Sequence, residues 1–376
     1  MKSLTTLIAR RDALRWLIGT GGTVGLFGCG GGGLNETLLD AVESGANADT
    51  LAPAQNVDEV RYRVVDLGSL VPFFGSAAFA LNEKGEVTGR AGVPGVEFPD
   101  THAFVYRDGV MHDLGTLGGR TSEGWDINNN GEVCGASEST ARAFLYSGGV
   151  MRDLGTLGGL SSVALGLNDS GHITGQADTP VGMRHAFLYR DGQMTDLGTL
   201  GGAFSTGRKI NNAGAVTGGA ETESGSLHAF LYSAGVMRDL GTLGGSESDG
   251  GAINEKGWVT GGATTVNGDF HAFLYDGERM LDLGTLSGRL AIGGGINASG
   301  WVVGNAHVDI GGSLVNHGFL YDGRSMRDLN DLLDASAAGW EVLESYDIND
   351  AGQIAGVARH LDVGTNAVLL VPVPCP

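Results

Sequence analysis

Several residue classes are scarce in this sequence, and each scarcity excludes a kind of protein. Only three of the 376 residues are cysteine, so a disulfide framework cannot hold the fold together. There are only eight prolines, and the 67 glycines do not recur at every third position, which excludes a collagen-like chain. No apolar run approaches the ~18 residues of an ordinary membrane-spanning helix.

Basic residues are also scarce. There are 23 Lys and Arg against 43 Asp and Glu, which gives a formal net charge of −20. A surface of this sign repels phosphate backbones and anionic lipids, so we expect no nucleic-acid partner. Hydrophobic residues make up 41% of the chain, which is enough to form a core and argues against general disorder.

The N-terminal segment has the features of an export signal, which we assign to residues 1–28. Basic residues that include Arg10 and Arg11 precede a weakly apolar stretch. The run from Arg10 to Arg15 resembles a twin-arginine motif, and Leu26-Phe27-Gly28-Cys29 resembles a bacterial lipobox. This resemblance implies lipidation at Cys29 and location outside the cytoplasm, in the periplasm or on the cell surface, with the membrane contacted only through the lipid. Plain secretion is the alternative. Residues 29–61 are expected to form a flexible acidic linker.

Three short signatures recur along the rest of the chain, and each occurs seven times. The first is Asp-Leu-Gly, which becomes Asp-Leu-Asn at Asp328. The second is Asn-x-x-Gly-x-(Val/Ile)-x-Gly, and the third is His-Ala-Phe-Leu-Tyr, which drifts in the outer copies. The asparagines of the second signature are Asn82, Asn128, Asn168, Asn211, Asn254, Asn297 and Asn349.

The strings His185-Ala-Phe-Leu-Tyr and Asp196-Leu-Gly-Thr-Leu-Gly-Gly resemble the bacterial extracellular repeat family named HAF after its tripeptide. The resemblance covers about residues 62–371. It implies an exported repeat protein and brings no established activity, substrate or catalytic residue.

Each repeat predicts four short strands, because its turn residues separate two hairpins. Seven such units predict an all-β, seven-bladed β-propeller of four-stranded blades over residues 62–371, followed by a tail at 372–376. The segment 62–67 supplies only a fourth strand, whereas 346–370 supplies only the first three. We therefore expect the N-terminal strand to join the last blade and close the ring. An open solenoid is the alternative.

The His and Asp of successive signatures are separated by eleven residues in five repeats. We interpret them as buried structural pairs, and two-residue turns such as Asp276-Gly277 and Asp322-Gly323 would place His271 directly opposite Asp282 and His317 opposite Asp328 in their hairpins. Five equivalent histidines in five blades cannot converge on one ion, so neither a metal nor a cofactor is expected. In one copy, Arg142 replaces the histidine opposite Asp153. The pairs are His102–Asp113, His185–Asp196, His228–Asp239, His271–Asp282 and His317–Asp328.

The connections at one face of the predicted ring vary between repeats, which indicates a binding surface there. The sequence contains no recognisable catalytic motif. The leading interpretation is therefore a monomeric, non-enzymatic scaffold that binds a protein or a glycan, and the alternative is a secreted glycan lyase or hydrolase with its site on the variable face. The candidate ligand-binding residues on this face are Trp125, Trp340, Glu341, His307, Asp309, His360 and Asp362.

Overall fold

The computed structural model describes residues 60–94, 100–138 and 141–374, and almost all of the regular structure in these ranges is β-strand. The predicted export signal, Cys29 and most of the predicted linker lie outside the described residues. The all-β prediction is confirmed. Strand pairing yields five four-stranded sheets and one eight-stranded sheet, whose two halves are joined by the bridged pair Arg184–Phe204.

We number the four-stranded units in chain order as repeats 1 to 7. Repeat 1 contains β2 (Ser76–Leu81), β3 (Val87–Val93), β4 (Asp100–Arg107) and β5 (Val110–Asp113), and repeat 2 contains β6 (Ser122–Ile127), β7 (Val133–Ser137), β8 (Arg142–Ser147) and β9 (Val150–Asp153). Repeat 3 contains β10 (Ser162–Leu167), β11 (Ile173–Asp178), β12 (Arg184–Arg190) and β13 (Gln193–Asp196), and repeat 4 contains β14 (Gly201–Ile210), β15 (Val216–Thr222), β16 (Leu227–Ser233) and β17 (Val236–Asp239).

Repeat 5 contains β18 (Gly244–Ile253), β19 (Val259–Thr265), β20 (Phe270–Tyr275) and β21 (Met280–Gly284), and repeat 6 contains β22 (Ala291–Ile296), β23 (Val302–Ile310), β24 (Ser313–Tyr321) and β25 (Met326–Asp328). Two 3₁₀ helices, Leu329–Leu332 and Ala335–Ala337, lead to repeat 7, which contains β26 (Trp340–Ile348), β27 (Ile354–His360), β28 (Gly364–Pro374) and β1 (Val60–Asp66).

Strand β1 comes from the start of the described chain and pairs with β28 near its end. The antiparallel register runs from Val60↔Pro374 to Asp66↔Val368. The paired region is therefore longer than the predicted 62–371, because both strands continue to hydrogen-bond beyond the last signature residues.

The hydrophobic core lies between neighbouring repeats. The phenylalanine of the His-Ala-Phe signature is fully buried wherever it occurs, as Phe187 shows, and it packs with apolar residues of the same and the preceding repeat, such as Cys134. Each repeat thus has two apolar faces that are covered by the repeats before and after it, which explains why the unit is repeated in series.

A β-bulge interrupts the first strand of every repeat, at the position three residues before the signature asparagine. In repeat 3 the register shifts between Ala164 and Gly166. A bulge bends the strand and re-aims the extra side chain. The seven bulge residues are Phe79, Trp125, Leu165, Arg208, Gly251, Gly294 and Tyr346.

Candidate functional site

The first strands of neighbouring repeats contact one another along the series, and β26 also contacts β2. Bulge side chains from repeats 7, 1 and 2 therefore come together. The Phe79 ring stacks on Trp125 with a centroid distance of 4.6 Å and an interplanar angle of 10°. The Tyr346 ring packs edge-on against Phe79, with a centroid distance of 5.4 Å and an interplanar angle of 80°. Three aromatic rings from three repeats therefore form one packed group, in which Phe79 is buried between the other two residues.

Charged groups lie beside these rings. The Tyr346 hydroxyl donates a hydrogen bond of 2.7 Å to Glu344 Oε2. Arg90 Nη1 lies 2.6 Å from Glu123 Oε1, and the Arg90 guanidinium stands 5.7 Å from the Phe79 ring centroid. We call these six residues the aromatic–carboxylate cluster: Phe79, Arg90, Glu123, Trp125, Glu344 and Tyr346.

The electrostatic environment fixes the protonation state of Tyr346. Burial raises the pKa of Tyr346 well above its ordinary value, the neighbouring Glu344 raises it further, and Arg90 opposes the change. The phenol is therefore protonated at neutral pH. Any reaction that uses its oxygen as a nucleophile needs a base in contact with it, and Glu344 holds that position.

The predicted His–Asp pairs all lie within hydrogen-bonding distance, with His Nδ1 2.6–2.9 Å from an Asp oxygen. The same carboxylate also accepts a main-chain N–H two residues on, as from Gly198 to Asp196 at 2.7 Å, which accounts for the Asp-Leu-Gly signature. Arg142 and Asp153 form the corresponding ion pair at 2.9 Å.

Two details of these pairs differ from the prediction. Asp282 is registered opposite Phe273 rather than His271, because the turn after Tyr275 contains four residues and Tyr275 pairs with Met280. The histidine reaches the carboxylate diagonally. The pairs are also not fully buried, and His317–Asp328 is the best shielded, with exposed side-chain fractions of 8% and 15%.

The variable-face candidates do not form one site. Trp125 belongs to the aromatic–carboxylate cluster. Trp340 lies far along the chain in β26, with its ring 5.0 Å from that of His360. Glu341 pairs with Arg359 and stands 3.5 Å from His317 Nε2.

The spacing of the repeats predicts that His307 and Asp309 lie in the variable connection between the second and third strands of repeat 6, and this loop placement is wrong. His307 and Asp309 are strand residues of β23, because a two-residue Gly311-Gly312 turn extends this hairpin to Ile310 and Ser313. In the described part of the chain, no hydrogen bond or ion pair joins them to His360 or Asp362. Instead, Asp309 accepts the Gly312 N–H.

Sequence reasoning missed Phe79, Arg90, Glu123, Glu344 and Tyr346. For Phe79 and Tyr346 a signal was present, because the position three residues before each signature asparagine is glycine in repeats 5 and 6 and a different residue in each of the other five repeats. A position whose residue changes from repeat to repeat is not required for the common fold and can therefore serve a function.

Comparisons with known proteins bear on the fold. No family model and no curated protein matches the chain. Solved structures with the same fold include the β-propeller domain of the trilobed protease from Pyrococcus furiosus, at 9% identity and a TM-score of 0.55, with 81% of this chain and 98% of that chain covered. A puromycin-hydrolysing peptidase from Mycobacterium tuberculosis matches at 13% identity and a TM-score of 0.53, over 81% of this chain and 51% of that chain. A puromycin hydrolase matches at 16% identity and a TM-score of 0.53, over 82% and 54%.

These likenesses establish a β-propeller type of fold, and the chain spans about half the length of the two puromycin-hydrolysing proteins. They also correct the prediction that the chain is not an enzyme, since propellers of this type occur in hydrolases. That prediction relied on the absence of a linear catalytic motif, and a cluster assembled from three repeats, such as the one described above, leaves no linear motif. No helix in the described ranges is long and apolar enough to cross a membrane.

Proposed function

We propose that this chain is a glycan hydrolase whose reaction takes place at the aromatic–carboxylate cluster. The observation that carries the proposal is the Tyr346–Glu344 hydrogen bond of 2.7 Å beside a stacked pair of aromatic rings. Glycoside hydrolysis needs a nucleophile at the anomeric carbon and carboxyl groups that move protons, and a tyrosine serves as the nucleophile in some such enzymes.

Each member of the cluster then has a defined role. Glu344 accepts the phenolic proton as Tyr346 Oη attacks the anomeric carbon. Glu123, which Arg90 holds in place through its ion pair, is the second carboxyl group. It delivers a proton to the departing glycosidic oxygen as the C–O bond breaks, and it then takes a proton from the water that cleaves the glycosyl–Tyr346 bond. The Trp125 ring, supported from behind by the buried Phe79 ring, supplies a surface against which a sugar ring packs.

We further infer that the repeats form a closed, seven-bladed propeller with the cluster around its central channel. The pairing of β1 with β28 supports closure, as does the contact of β26 with β2. The likeness to the Pyrococcus domain does not decide this point, because that domain is described as having an open velcro topology.

The cellular location that we propose follows from the sequence alone. The chain is exported as an HAF-type repeat protein and tethered through a lipid on Cys29, and it works as a monomer on a glycan outside the cytoplasm. Its acidic charge fits a neutral or cationic glycan better than a strongly anionic one.

Hydrolysis of polysaccharides and aryl glycosides by the full-length chain tests the function, with reducing-end release as the readout. We expect Tyr346→Phe and Glu344→Gln each to lower kcat at least about 100-fold while thermal stability is retained. The matched control is Tyr189→Phe in repeat 3, which should keep full activity. A wild-type chain that cleaves none of the panel, or a Tyr346→Phe variant as active as wild type, contradicts the proposal.

A further inference from the structure

A second group of charged side chains lies next to the bulges and has no part in the proposed reaction. Lys209 Nζ stands 2.6 Å from Asp126 Oδ1 and 3.5 Å from Asp347 Oδ2. The three residues come from the first strands of repeats 4, 2 and 7, each one position after its bulge. Their side chains expose only 18%, 7% and 14% of their surface.

Main-chain donors hold both carboxylates in fixed orientations. Asp126 Oδ2 accepts the Leu167 N–H at 2.8 Å, and its Oδ1 accepts the Ile127 N–H at 3.1 Å. Asp347 Oδ1 likewise accepts the Ile348 N–H at 3.0 Å. The lysine nitrogen therefore lies in contact with an Asp126 carboxyl group whose orientation is held by a main-chain hydrogen bond to each oxygen.

We propose that Lys209 and Asp126 condense to an intramolecular amide, with Asp347 as the proton carrier. The Lys209 ammonium passes one proton to Asp347, which delivers it to Asp126 Oδ1, and the neutral Nζ attacks Cγ of the resulting carboxylic acid. The Nζ–Cγ bond forms and the Cγ–Oδ1 bond breaks. Oδ1 departs as water with the two protons lost by the lysine nitrogen, one of them delivered by Asp347. Asp126 Oδ2 becomes the amide oxygen and keeps its hydrogen bond from Leu167.

Two physical effects favour this step. Fixed juxtaposition of amine and carboxyl gives effective concentrations of about 10⁵ M or more, which turns an unfavourable condensation in water into an accessible one. Condensation also removes two charges whose burial is costly. Burial raises the pKa of Asp347, so that this carboxyl group accepts and releases a proton more readily than an exposed aspartate does.

The nucleophile requires a proton transfer before it can react. Burial lowers the pKa of Lys209, but Asp126 and Asp347 more than offset this and raise it overall. The resting lysine is therefore charged, and Asp347 is the group placed to receive its proton.

The amide would join repeats 2 and 4 by a covalent bond. Among the residues that the structure describes, the cysteine is Cys134, which is free and buried, so no disulfide performs this role there. For a protein working outside the cell, such a bond resists unfolding in the way that a disulfide does.

Mass spectrometry of the purified full-length chain tests the proposal. After tryptic digestion, we expect a branched peptide that joins residues 121–142 to residues 209–238 and is lighter than the sum of the two by one water molecule. Reading the mass on peptides keeps the result independent of any processing at the N-terminus.

Three variants sharpen the test. Lys209→Arg should yield residues 121–142 and 210–238 as separate peptides, because trypsin cleaves after an unmodified residue 209. Asp347→Asn should reduce the branched fraction at least tenfold, and the control Lys256→Arg should leave it unchanged. Separate, unmodified peptides from the folded wild-type chain would overturn the proposal and leave Lys209 as an ion-pair partner only.

Discussion

The side-chain amide of Asn349 donates a hydrogen bond of 3.1 Å to the main-chain carbonyl of Asn82, 267 residues away. Asn82 in turn donates to the carbonyl of Asn128, and each later signature asparagine donates to the next, so that the series returns to its first member. The asparagine of each turn therefore does two things at once. It shapes its own hairpin and ties that hairpin to the neighbouring repeat.

Removing one of these side chains should weaken the fold strongly. Asn128 Oδ1 accepts the N–H groups of Asn130 and Glu132, and its Nδ2 donates to the Asn168 carbonyl. Asn128→Ala leaves these buried groups without partners. We expect a loss of about 2–4 kcal/mol in the free energy of unfolding, measured by urea denaturation.

Asn130→Ala is the matched control in the same turn. The Asn130 side chain makes an exposed contact with the Asp169 carbonyl, so its loss should cost less than about 1 kcal/mol. Equal losses for the two variants would contradict the special role assigned to the buried asparagine of the signature.

Much of this architecture could be predicted because it repeats. Seven copies of one turn, and chain ends that supply one and three strands, point to the pairing that Tyr62 makes with Pro372 in β1 and β28. The strand register within a hairpin is less well determined by the sequence than the pairing of β1 with β28. A turn two residues longer moves the partner of Asp282 from His271 to Phe273, and the sequence Asp276-Gly277 is compatible with either length.

The candidate site was harder to predict because its residues do not repeat. Tyr346, Phe79 and Trp125 are far apart in sequence and share only their place at a bulge. Lys209 and Asp126 likewise belong to repeats that are not consecutive. Contacts between dissimilar residues of distant repeats leave no periodic signal, so only the three-dimensional arrangement reveals them.

The second strand of each repeat contains a glycine that we predict cannot be replaced by any larger residue without a large loss of stability. In repeat 3, a Cβ on Gly175 would lie 1.9 Å from the Val163 carbonyl oxygen. This overlap involves backbone on both sides and cannot be relieved by a side-chain rotation. Gly175→Ala should therefore cost at least about 3 kcal/mol in the free energy of unfolding.

A glycine four residues earlier serves as the comparison. Gly171 has a φ of +76° and nothing within 4 Å of its virtual Cβ, so Gly171→Ala should cost only about 1 kcal/mol, through backbone strain. If urea denaturation ranks the two variants in the reverse order, the close approach between the first and second strands is not what selects glycine at position 175.

Cys134 should be chemically inert in the folded protein. It is fully buried between repeats 2 and 3, and burial raises the pKa of its thiol well above the ordinary value. Because the thiolate is the reactive form, we expect no alkylation of Cys134 by iodoacetamide under native conditions and full alkylation in denaturant, read on the peptide that contains it. Rapid native labelling would contradict this packing.

The pair His317–Asp328 should make stability depend on pH. The Asp328 hydrogen bond raises the pKa of His317, although burial opposes this, and Glu341 raises it further. The pKa of Asp328 is lowered by its hydrogen bond to His317 and by the Asn330 N–H, which together outweigh its burial. The histidine contribution is therefore complete below the unfolded pKa of about 6.5 and disappears as pH rises through the higher folded value, whereas the aspartate contribution is lost only in acid.

His317→Asn should accordingly destabilise the protein by about 1 kcal/mol more at a pH of about 6 than at about 9, measured by urea unfolding at both values. His228→Asn is the matched control, since its partner Asp239 exposes 41% of its side chain and solvent screens that pair. A loss for His317→Asn that is the same at both pH values would mean that the imidazole acts only by packing and by a neutral hydrogen bond, and not through its charge.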